Sequence, residues 1–307
     1  MTVRQGLPDL HRHLDGSLRR QTLLELAQQA GVTVPRELRF VPGMGLAAAL
    51  DCFAVTLSTL QTAAAVQRVA HELCVDAAAD GVTTLEIRFA PQLHHGAALE
   101  EIVDAALAGL GGRAGLILCG LYGEPPAQLE ALVDLAASRA GVVGLDLAGG
   151  PAPGHAWGLE HYARAFTRAR DLGLGRTVHA GEGRPPQEIR RAIEALHAQR
   201  IGHGTTLLQD ATVVDLVLQR GVVLEACPTS NVHTGVIPRV EDHPLAKWLH
   251  LGVRACINTD NTLLSDVTAS QEHQRAAGIT GMSPALLQAA VDHGHAAAFG
   301  RLRQTTG

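Results

Sequence analysis

TTLEIRF (83–89), LEEIVDAALAGL (99–110), GLILCGL (115–121), PAQLEALVDLAAS (126–138) and VVGLDL (142–147) follow one another along the chain. Short β-type runs alternate here with Ala/Leu-rich stretches whose apolar residues recur at helical spacing, which predicts parallel βα units. The alternation extends outward in both directions. Further strands are expected at about 7–13 (LPDLHRH), 175–179 (GRTVH), 200–202 (RIG), 222–226 (VVLEA) and 254–259 (RACINT). Further helical stretches are expected at 62–79, 161–171, 186–198 and 210–219. Eight strands is the number that closes a barrel. The segment 17–80 is too long for one crossover and should carry two or three helices, and terminal helices should follow about residue 280. The expected fold is α/β: a single (β/α)8 TIM barrel over 1–307, with extra helices after strand 1 and at the C-terminus. An open doubly wound sheet is the alternative, but no GxGxxG follows the first strand.

Apolar residues make up 46% of the 307 and charged residues 18%, which excludes a disordered chain; aromatics are only 3%. The core must then be Ala, Val and Leu, which suits packed helices and inward-pointing strand layers better than an aromatic-rich sandwich. A net charge of −5 without a basic run excludes the electrostatic footprint of a nucleic-acid binder. Cys52, Cys74, Cys119, Cys227 and Cys256 are far apart and form no CxxC pair, as expected of reduced core thiols. No window offers the roughly 18 consecutive apolar residues of a membrane span, and the polar HRHLDG comes too early for a signal peptide. A soluble cytoplasmic protein is expected, with no nucleic-acid or membrane partner.

In such a barrel, chemistry belongs at the C-terminal strand ends. The sequence places His11 and His13 after strand 1, His179 and Glu182 after strand 5, His203 after strand 6, and Asp260 with Asn261 after strand 8. Alternation along a strand puts His11 and His13 on one face, and His179 and Asp260 can complete the set. Three neutral imidazoles and one carboxylate suit Zn²⁺, and a position left for water makes such a site catalytic. Any one of these histidines alone could be a packed residue of the barrel mouth. Polar groups at four strand ends point to a metal.

His11–Gly16 (HRHLDG), Asp146–Gly149 (DLAG), His179–Glu182 (HAGE), Ile201–Gly204 (IGHG), Cys227–Asn231 (CPTSN) and Asn258–Asp260 (NTD) span nearly the whole barrel. By these blocks, in this order, the chain resembles the adenosine deaminase family of metal-dependent barrel hydrolases. The resemblance implies one zinc ion held by His11, His13, His179 and Asp260, and hydrolytic removal of the 6-amino group from a purine nucleoside by a zinc-bound hydroxide attacking C6. Glu182, His203 and Asp260 would be catalytic, Glu182 protonating N1 and later helping ammonia leave, and His203 orienting the hydroxide. His13, Asp15, Gly149 and Asn261 would bind substrate. Asp15 would accept from a sugar hydroxyl, although it could instead cap the following helix. Gly149 would let the backbone approach N3. Leu50, Phe53 and Leu57 resemble the family's apolar lid, a spacing that helix-core packing explains equally well.

Lys247 is the only lysine, and none stands at strand 4, where relatives with two metals carry a bridging carboxylated lysine; the site should be mononuclear. The HxE and PCxxC pattern of cytidine-type deaminases is absent. Asn261 stands where the family has a second Asp, and its amide can donate to purine N7. Leu121-Tyr122-Gly123 replaces a Met-Arg-His of many members, and Gly150-Pro151 an acidic pair; these positions are expected at the substrate end. The resemblance thus implies conversion of adenosine or 2′-deoxyadenosine to the inosine form plus ammonia. The alternatives are a modified adenosine such as aminodeoxyfutalosine or a 5′-thio-adenosine, adenine itself, or a non-catalytic zinc-binding role.

Overall fold

The computed structural model describes residues 6–300. Its eight strands, β1 (Leu7–His13), β2 (Val82–Phe89), β3 (Gly115–Leu121), β4 (Val142–Ala148), β5 (Gly175–Ala180), β6 (Arg200–His203), β7 (Val223–Ala226) and β8 (Arg254–Ile257), pair in chain order. All neighbouring pairs are parallel. Each strand lies within two residues of its expected bounds. The sheet closes through one parallel bridge, Arg12 to Asp260. There the His13 N–H donates to the Asp260 carbonyl and the Asp260 N–H to the His11 carbonyl, both at 2.8 Å. Closure therefore locks the histidines of β1 to Asp260.

The long segment after β1 holds three helices, α1 (Arg20–Ala30), α2 (Leu46–Thr59) and α3 (Ala63–Ala79). The crossovers carry α4 (Leu99–Leu110), α5 (Pro126–Ala137), α6 (Ala163–Asp171), α7 (Gln187–Glu194) and α8 (Ala211–Arg220). Between β7 and β8 lie α9 (Pro228–His233) and α10 (Leu245–His250), and α11 (Ala269–Ala276) and α12 (Pro284–Ala297) follow β8. Two expectations shift. The stretch 186–198 is helical only over α7, after which the chain turns through His197 at φ 54°. The terminal helices begin at residue 269 and not near 280. Among the described residues, no single helix is long and apolar enough to cross a membrane. All five cysteines are free thiols, four of them buried.

The apolar core lies between strands and helices, where Leu116, Leu118, Leu145 and Leu147 are fully buried. The expectation of apolar layers inside the barrel fails in its lower half. Arg88 of β2 reaches across to Asp146 of β4 and Glu225 of β7, and Arg200 of β6 reaches Glu86 of β2 and Glu225. All five side chains are buried. Composition counts residues but not faces: most apolar alternates point outward to the helices, and the interior accepts these charges because each meets an opposite charge, with Ile117 and Val143 packed on Phe299 below them. Phe299 plugs the bottom, its ring 3.6 Å from the Arg200 guanidinium.

Candidate active site

At the C-terminal strand ends, His11 and His13 project from β1 and His179 from β5, and their ligand atoms lie within 4.8 Å of one another. His13 Nε2 is 3.3 Å from His179 Nε2. Two nitrogens bound to one tetrahedral Zn²⁺ at 2.0–2.1 Å stand about 3.3 Å apart, so the spacing fits that ion. Asp260 Oδ1 lies 3.5 Å from His11 Nε2 and 3.4 Å from His13 Nε2. The buried His11 Nε2 has no hydrogen-bond partner among the described residues. An orphaned buried lone pair facing a carboxylate and two further imidazoles is the donor set a divalent cation completes. His203 also comes close: His11, His203 and Asp260 form a second grouping within 4.8 Å.

The charged interior beneath orients these ligands. Glu225 Oε2 accepts from His11 Nδ1 at 2.8 Å, and Asp146 Oδ2 lies 3.0 Å from His179 Nδ1. Each carboxylate puts the ring proton on Nδ1 and leaves the Nε2 lone pair facing the site. Arg88 ties the two carboxylates together, at 2.7 Å and 2.8 Å. Burial alone would raise the Glu225 pKa, but Arg88 and Arg200 outweigh it and hold the group well below the carboxylate range. Burial pushes His13 well below the ordinary imidazole value and His203 down to about 4, so both rings are neutral at pH 7. His203 and Asp260 both have left-handed backbones, φ 68° and 61°, a strain of about 1–3 kcal/mol each that neighbouring contacts must hold.

Glu182 is buried beside this cluster. Its Oε1 accepts from Thr234 Oγ1 at 3.1 Å and from Asn231 Nδ2 at 3.4 Å, while Oε2 stands 3.9 Å from His203 Nε2. Pro186 and not Glu182 stands at the N-cap of α7. Asp15 does not cap α1, whose N-cap is Arg19. Its buried Oδ1 has no partner among the described residues, and burial pushes its pKa up to about 7. Gly149 borders the cavity at φ 77°, a conformation that favours glycine. Asn261 lines the cavity too, its Oδ1 packed so tightly on Gly16 that a Cβ there would come within 2.0 Å.

The apolar stripe of α2 faces this cavity: Leu50 is 48% exposed, and Phe53 sets its ring 6.0 Å from that of His13. Leu57 lines the same cavity, of 250 Å³. Leu50 is thus half-exposed at the cavity, while Phe53 also packs with Phe40 in a small core cluster of the segment after β1. Of the stretch Leu121–Gly123, Leu121 lines this cavity, while Tyr122 is buried and its Oη donates to the His179 carbonyl at 2.8 Å. Gly150 likewise packs on Arg184, whose Nη1 a Cβ would meet at 2.6 Å. Sequence reasoning does not reach Arg88, Glu225 or the role of Asn231. The signal available for Arg88 and Glu225 is the presence of charged residues inside the apolar runs TTLEIRF and VVLEA, which must find opposite charges when buried, and for Asn231 its place at the end of the CPTSN block.

Comparison with known proteins follows the same lines. The family model described as "Adenosine deaminase" matches residues 7–304. An adenosine deaminase of Serratia proteamaculans is 37% identical over 96% of this chain and 94% of its own. The adenine deaminase of Arthrobacter aurescens superposes with a TM-score of 0.76 at 26% identity, covering 95% of this chain and 98% of that one. Arabidopsis ADAL in complex with IMP superposes at 0.84 with 25% identity, covering 98% and 96%.

Proposed function

The chain belongs to the adenosine deaminase family, zinc-dependent hydrolases acting on adenosine-like purines, and from that membership we infer that its substrate is the nucleoside, adenosine or 2′-deoxyadenosine. The observation that carries this choice is the lining of the cavity. Among the described residues it holds the carboxylate of Asp15 and no lysine or arginine. A 5′-phosphate would meet no cation there, and an ionised Asp15 would repel it, whereas a sugar hydroxyl can donate to the unpaired Oδ1. Free adenine would leave that oxygen unpaired at a cost of about 1–3 kcal/mol.

His11, His13, His179 and Asp260 would hold one zinc ion; the two groupings share His11, and Asp260 Oδ1 stands within 3.5 Å of both His11 Nε2 and His13 Nε2, so they describe one volume. Bound zinc supplies the Lewis acidity that makes water nucleophilic at neutral pH. Glu182 holds a proton for purine N1 and afterwards helps the amine depart, so the ring gains the proton it needs as C6 is attacked. His203 directs its ring edge at the attacking oxygen, and Asp260 accepts from it. Asn261 donates to N7, and the Gly149 backbone meets N3. Leu50 and Phe53 cover the base and exclude bulk water. The enzyme is taken to work as a single cytoplasmic domain on a small-molecule purine, without nucleic-acid or membrane partners, in keeping with its charge of −5.

The test is ultraviolet-monitored turnover of adenosine, 2′-deoxyadenosine, 5′-methylthioadenosine, adenine and AMP. The nucleosides should be deaminated, with kcat/KM for AMP lower by about 100-fold or more. AMP or adenine as the best substrate would overturn the choice.

A further inference from the structure

A buried hydrogen-bond chain runs from a backbone amide to the reacting groups, and its first link fixes all the others. The Leu245 N–H, in the first turn of α10, donates to His243 Nδ1 at 3.2 Å. A backbone amide can only donate, so His243 Nδ1 carries no proton and the neutral ring bears it on Nε2. His243 is buried, and its burial pushes the pKa down to about 3, which keeps the ring neutral. Its Nε2 stands 3.2 Å from Asn231 Oδ1, which therefore accepts. The other end of the amide, Nδ2, lies 3.0 Å from His203 Nδ1 and 3.4 Å from Glu182 Oε1. A carboxylate accepts, so the Glu182 side independently requires the same amide orientation.

We propose that Asn231, oriented by His243, is a positioning residue that places the proton of His203 on Nε2 and so keeps His203 out of the metal's ligand set. Asn231 Nδ2–H occupies the Nδ1 lone pair, and a ring nitrogen that carries a proton has none to give a cation. Of the two overlapping groupings, His11, His13 and His179 with Asp260 take the ion, and His203 Nε2–H is a donor into the cavity. The same amide, with Thr234 at 3.1 Å, occupies Glu182 Oε1 and leaves Oε2 as the oxygen that carries the proton. This last step rests on the deaminase reading; the order of protons along the chain does not.

The experiment is two-bond ¹H–¹⁵N correlation of histidine side chains in the metal-free, ¹⁵N-labelled full chain. His203 and His243 should both show the Nε2–H form, and an Nδ1–H form of His203 overturns the proposal. Asn231→Asp sets an acceptor-only group against His203 Nδ1, so the His203 signal should move to the Nδ1–H or doubly protonated pattern. An unchanged Nε2–H pattern in that folded variant also overturns it. If Asn231→Asp does not fold, the wild-type spectrum still decides. In the zinc-loaded enzyme, Asn231→Ala should lose about 10–100-fold in kcat with KM and zinc content little changed; a full kcat counts against the positioning role. Failure of the wild type to deaminate any purine would sink the deaminase reading, while the Nε2–H signals of His203 and His243 would still establish the order of protons.

Discussion

The hollows at the N-terminal end of the barrel are larger than those at the C-terminal end, yet the chemistry does not converge there. At the N-terminal strand ends lie cavities of 510 and 620 Å³, the first lined by Arg170, Arg176, Arg220 and Arg254, against adjoining hollows of 60 Å³ among His13, His179 and His203 and 250 Å³ beside Asp15. The lower guanidiniums are largely satisfied locally. Arg176 donates to the carbonyls of His197 and Leu174 at 2.8 and 2.7 Å, Arg254 to that of Gly221, and Arg170 to Asp171 at 2.9 Å. Guanidinium groups have no lone pair to offer, so they cannot gather a cation however many line one hollow. At the upper end three imidazoles and a carboxylate aim unshared lone pairs at one point, beside a carboxylate that can hold a proton. Volume is thus a poor guide to function here, and convergence of unpaired acceptors a good one.

Five experiments test that contrast, from the largest effect to the smallest. His11→Ala should lose metal and activity together, seen by metal analysis and turnover, because the ion is left under-coordinated; full activity after exhaustive chelation would break the comparison at its root. Glu182→Gln should keep metal and substrate affinity while kcat falls by about 10²–10⁴. Asn261 should discriminate adenosine from 7-deazaadenosine by about 5- to 150-fold in kcat/KM, and Asn261→Ala should abolish the difference. Equal discrimination in both proteins would mean that Asn261 only supports Asp260. Glu225→Gln, one layer below the ligands, should weaken zinc binding by about 10–100-fold in competition with a chelator, since His11 loses its charged partner. At the opposite end, Arg220→Ala should leave kcat/KM unchanged and shift stability by no more than about 0.5 kcal/mol in denaturant titration. A large loss of activity there would show that the lower cavity matters to the reaction.

Local pattern was enough to read the eight strands, the crossover helices and the residues at the strand ends, because period-two and helical spacing are properties of neighbours in sequence. His11 and His13 share a face by alternation alone, and HAGE places Glu182 three residues beyond His179 whatever the rest of the chain does. Only the tertiary structure decided what stands behind them. Arg88 and Glu225 are 137 residues apart, and Asn231 of α9 and His203 at the end of β6 are 28 apart. The tautomers of His11, His179 and His203 depend on such pairs. So does closure through Arg12 and Asp260, since the strand that ends at residue 13 meets its last neighbour only when all eight have formed. Buried charges pair by distance in space, and with one sequence spacing as good as another, no periodicity announces which partner the closed barrel will supply.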